Sequence, residues 1–88
     1  MKPKVKIEDL ERMINEAETE SAVFWGKETV VSYRLKNGFT VLGRSACVCP
    51  ENFNAELGMK FARENAIDKM WELEGYLLQN KLYDESLK

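Results

Sequence analysis

The 88 residues, with 13 basic and 15 acidic side chains and a net charge of −2, lack the excess of positive charge on which general binding to a nucleic-acid polymer rests. The chain has no histidine, which rules out Ser–His and Cys–His catalysis and removes the commonest zinc-ligand set. A composition of 44% hydrophobic and 32% charged residues belongs to one folded domain, and a chain of this length buries only roughly 60–65% of its unfolded surface, so a homo-oligomer is expected.

In chain order, the ends (residues 1–5 and 83–88) read as frayed. Leu10, Met13, Ile14 and Ala17 follow i, i+3, i+4, i+7 spacing, with Glu8, Asp9 and Glu11 at the positive end, and predict a short helix over 7–17. Residues 20–48 are rich in β-branched and aromatic side chains. Two-residue turns at Gly26-Lys27 and Asn37-Gly38 predict an antiparallel meander with strands at 20–25, 28–36 and 39–48.

That register places Ala22, Phe24, Val31, Tyr33, Leu35 and Leu42 on one face, beside Thr29, Thr40 and Arg44. Val23, Trp25, Val30, Phe39 and Val41 fall on the other, among Ser32, Arg34 and Lys36. Two apolar faces would need two covers. A long helix over 54–80 supplies one through Leu57, Phe61, Ala62, Ala66, Met70, Leu73 and Leu77, widened by Ile67, Trp71 and Leu78. The other cover is expected to be a second copy meeting Val23, Trp25, Phe39 and Val41, or the wide helix stripe. The fold class is α+β: a short N-terminal helix, a three-stranded meander and a long C-terminal helix packed on the sheet. Gly58 and Gly75 inside the long helix call for close backbone packing to offset their cost.

The corner between sheet and long helix, "ACVCPENFNAELG" at 46–58, carries the polar chemistry. Cys47 and Cys49, two apart on a predicted strand, share a face. They read as structural thiols ahead of a redox pair or a zinc site pooled between two chains, and no metal or cofactor is expected. Asn54 is the expected cap of the long helix. Arg44, Lys60 and Arg63 admit two readings. They are ordinary surface charges paired with residues such as Glu56 or Glu64, or they converge on an anion at the helix N-terminus. Trp25, Phe53 and Trp71 are either core or base-stacking faces. The carboxylates of Glu64, Asp68 and Glu72 read as a solvated row, so no catalytic residue is assigned and the chain is expected not to be an enzyme. With no apolar run of about 20 residues and no signal-peptide core in "MKPKVKIEDLERM", the expected location is the cytoplasm, with no membrane partner.

From Gly-Phe-Thr-Val at 38–41 through Ser-Ala-Cys-Val, Pro-Glu-Asn-Phe and Glu-Leu-Gly to Trp-Glu-Leu-Glu-Gly-Tyr-Leu-Leu at 71–78, the chain resembles a family of small tailed-phage proteins. That family is named for the products of gene 49 and gene 66 in two phages. Cys49 departs from its pattern, which favours Asp or Ser there. The resemblance implies a phage protein in the host cell cytoplasm. It also suggests the anti-Thoeris sponges, oligomers that sequester cyclic ADP-ribose-type or cyclic nucleotide immune signals without cleaving them. On that reading Arg44, Lys60 and Arg63 hold the pyrophosphate of a small anionic nucleotide, Phe53 stacks on the base, and Asn54 and Asn65 meet polar groups. The alternative is a small early phage protein that binds and modulates a host protein.

Overall fold

The computed structural model describes residues 3–88; the expected fraying of the N-terminus falls partly on residues 1 and 2, outside the described residues. Helix α1 (Ile7–Glu16) leads into strands β1 (Glu18–Phe24), β2 (Glu28–Arg34) and β3 (Thr40–Ala46), then a single 3-10 turn (Pro50–Asn52) and helix α2 (Ala55–Ser86). The sheet is antiparallel in the order β1-β2-β3, as predicted.

Both hairpins carry one residue more than a two-residue turn. Phe24 pairs with Glu28 across Trp25, Gly26 and Lys27, and the Leu35 N–H donates to the Phe39 carbonyl across Lys36, Asn37 and Gly38. In the second loop Gly38 has φ +91°, which makes it the left-handed residue of a three-residue hairpin rather than half of a type I′ pair. Asn37 Oδ1 accepts from the Phe39 N–H at 2.9 Å.

The extra residues correct the predicted faces, because a one-residue shift sends every side chain of a strand to the other side. β2 keeps its assignment while β1 and β3 exchange theirs. Thr29, Val31, Tyr33 and Leu35 thus share the buried face with Val41. Val41 is 3% exposed and Leu42, predicted for the core, is 48% exposed. Val41 therefore cannot lie at an oligomer surface. The opposite face holds Glu18, Glu20, Glu28, Arg34 and Arg44 with Ala22, Phe24, Val30 and Leu42, so the second apolar face does not exist as predicted. Its charges pair across strands: Arg34 Nη2 donates to Glu18 Oε2 at 2.7 Å and Arg44 Nε to Glu28 Oε2 at 2.8 Å.

α2 crosses β3 and β2 and leaves β1 uncovered. It can come so close because the line of contact is made of small residues. A Cβ on Gly43 would collide with the Ala62 carbonyl oxygen, and one on Gly58 with Thr29 Oγ1. Ala62, Ala66, Ile67 and Met70 are buried there, and Leu10 and Ile14 of α1 complete the core. The predicted helix stripe therefore divides: Ala62, Ala66, Ile67 and Met70 enter the seam while Leu57 and Phe61 stay exposed. Gly58 has its close contact, whereas nothing lies within 4 Å of a Cβ on Gly75. α2 also continues to Ser86 instead of stopping at 80. It outruns the sheet and gives the molecule its 58 Å long axis.

Candidate functional site

The corner is built by chain reversal after β3. The strand ends at Ala46, so Cys47 and Cys49 lie beyond it and not on a shared strand face. The Cys47 N–H donates to the Lys27 carbonyl at 3.1 Å, and its thiol to the Cys49 carbonyl at 3.2 Å. Asn54 caps α2, its Oδ1 accepting from the Leu57 N–H at 3.1 Å. Ser45 Oγ ties the strand end to the Gly58 carbonyl at 2.7 Å. Between these ties lies a hollow of about 150 Å³ lined by Lys27, Cys47, Asn52, Phe53, Asn54, Leu57 and Phe61 among others.

Of the residues assigned to a ligand by sequence, Phe53 and Asn54 line this hollow; Arg44, Lys60, Arg63 and Asn65 do not. The three cations do not converge. Arg44 lies on the sheet face away from α2, held by Glu28. Arg63 faces α1, donating to Asn15 Oδ1 at 2.8 Å with Glu11 4.0 Å away. Lys60 is exposed, its ammonium 5.8 Å from the centre of the Phe61 ring. Asn65 has a structural task, accepting from the Arg44 backbone N–H at 2.9 Å. The cation at the hollow is Lys27, which the sequence marks only as the second residue of the Gly26-Lys27 turn.

A second feature stands at the β1–β2 hairpin tip. Trp25 has φ +58° and is followed by Gly26 at +64°, and the Lys27 N–H closes the turn on the Phe24 carbonyl at 3.1 Å. A bulky side chain in the left-handed region is strained, and Trp25 is nonetheless 84% exposed. Beside it stand Val23 and Phe24, both exposed. Val48, 89% exposed, leaves the adjoining strand at the same end. The signal was present in the sequence as a tryptophan immediately before the turn glycine.

Burial pushes the Tyr33 hydroxyl up, opposed by a smaller pull from Arg63. Glu16 is held below the ordinary carboxylate range by its hydrogen bond to Lys36 and then by that ammonium's charge.

The family model described as phage protein (N4 Gp49/phage Sf6 gene 66) matches residues 5–82, from the approach to α1 through most of α2. The chain belongs to that family. The match includes the capped corner, the Gly43 and Gly58 contacts and the hairpin tip, so it spans the whole packed unit. No curated protein and no solved structure matches the chain. No helix among the described residues is long and apolar enough to cross a membrane.

Proposed function

We propose that this phage protein acts in the host cytoplasm by binding, without chemistry, and that its β1–β2 hairpin tip docks on a host protein. The observation that carries this reading is Trp25: an exposed indole held in a strained backbone where Asn-Gly would make an unstrained type I′ turn. Strain of this kind persists where it serves a role, and tryptophan is the residue most enriched among interface anchors. Exposed Val23 and Phe24 flank Trp25 on opposite faces of the hairpin.

The sponge reading draws on the corner hollow, where Lys27 could meet a phosphate and Phe53 and Phe61 a base. Its volume of about 150 Å³ falls short of the ~300–1,000 Å³ typical of small-molecule sites, so enclosure of a nucleotide would need a second chain. The discriminating experiment is calorimetry and thermal shift against a panel of cyclic nucleotides and ADP-ribose isomers, run on the native chain and on Trp25→Asn. Docking predicts no heat with any nucleotide. It also predicts that Trp25→Asn stabilises the fold by about 1 kcal/mol through relief of turn strain while abolishing the host-protein contact. A saturable nucleotide response that survives Trp25→Asn and is lost on Lys27→Ala would establish the sponge instead.

A further inference from the structure

The two edges of the sheet are not alike. In β2 the odd-numbered residues bond to β3, as fixed by the Leu35 N–H to the Phe39 carbonyl and the Cys47 N–H to the Lys27 carbonyl. Antiparallel pairing alternates, so the even residues of β1 bond to β2 while Thr19, Ser21 and Val23 turn their backbone groups outward. On β3 the outward groups belong to the even residues, and α2 reaches over to occupy two of them. Lys69 Nζ donates to the Leu42 carbonyl at 2.6 Å and Asn65 accepts from the Arg44 N–H. On β1 the outward N–H and C=O groups of Thr19, Ser21 and Val23 have no hydrogen-bond partner among the described residues. β1 is also fully exposed along its length and carries no proline; its charges, Glu18 and Glu20, project from the sheet face away from α2 and leave the backbone groups of the edge open.

We infer that β1 is the seam of a two-fold dimer, pairing antiparallel with β1 of a second copy about Ser21. The strand's own sequence argues for that occupant. Centring on Ser21 sets Ser21 opposite the partner's Ser21 and Thr19 opposite the partner's Val23, and these are the residues with free outward groups, so each pair exchanges two bonds. The same register sets Glu18 opposite the partner's Phe24 and Glu20 opposite the partner's Ala22, so no carboxylate directly faces another. The face toward α2 contributes only the uncharged Thr19, Ser21 and Val23. Because α2 guards β3, the pairing closes at two copies instead of running on as a fibre. The inference rests on backbone geometry alone and holds whichever binding reading is correct.

The test combines sedimentation with amide hydrogen exchange on the full chain at micromolar concentration. The native chain is expected to sediment as a dimer, with the amides of Thr19, Ser21 and Val23 protected and losing protection on dilution. Ser21→Lys, which sets two ammonium groups face to face, is expected to be a folded monomer, as is Ser21→Glu. Mixing the two variants is expected to restore a dimer. A monomeric native chain, a dimer whose three edge amides exchange freely, or a dimer that survives Ser21→Lys but dissolves on Leu77→Glu in the outer part of α2 would each overturn the inference.

Discussion

At Gly43 and Gly58 one added carbon separates a close helix–sheet contact from a collision. Gly43→Ala drives a Cβ into the Ala62 carbonyl, a backbone atom that cannot yield without lifting α2, and is expected to cost roughly 1–3 kcal/mol or more in chemical denaturation. Gly75→Ala meets open space and gains helix propensity, so the same experiment should show a stabilisation of up to about 1 kcal/mol. The two substitutions are chemically identical and their signs are opposite. Asn54→Ala removes the hydrogen bond to the Leu57 N–H and is expected to lower stability by about 0.5–2 kcal/mol, with the loss read as fraying of the first turn of α2.

Among the elements, α1, the three strands and α2 were legible because period and punctuation agree: heptad-like apolar spacing in the helices, β-branched runs in the strands, and Asn54 before an acidic first turn. Register was not legible. "NG" in Leu35–Phe39 signals a hairpin equally well with a two- or a three-residue loop, and one residue decides which of Val41 and Leu42 enters the core. Arg44 failed for the same reason, since an even position of β3 faces away from α2, whereas Arg63 is turned toward α1 by its place on the helix. What α2 lacks in a clean stripe follows from its length: its first half buries Ala62, Ala66, Ile67 and Met70 against the sheet, with Gly43 opposite Ala62, and its outer part extends past the sheet. The tie between α1 and the β2–β3 loop is testable through pH. Because Glu16 is lowered by Lys36, the pair's contribution to stability is present above the ordinary carboxylate range and is lost as pH falls through the lowered value. Lys36→Met should return the Glu16 titration, followed by NMR, to the ordinary range; a titration unchanged by the substitution would show that the pair does not form in solution.

At the scale of the whole molecule, a small core carries one sheet edge tied to α2, one edge with free backbone groups and a strained aromatic hairpin tip. The most direct measurement is native mass spectrometry of the chain isolated from infected cells, with a lysine-reactive cross-link at Lys27 beside the hairpin tip. The account predicts one defined host protein cross-linked to Lys27, lost when Trp25 is replaced by Asn, and no retained small molecule. A nucleotide carried through purification and released unchanged on denaturation, with no protein cross-linked at Lys27, would contradict it.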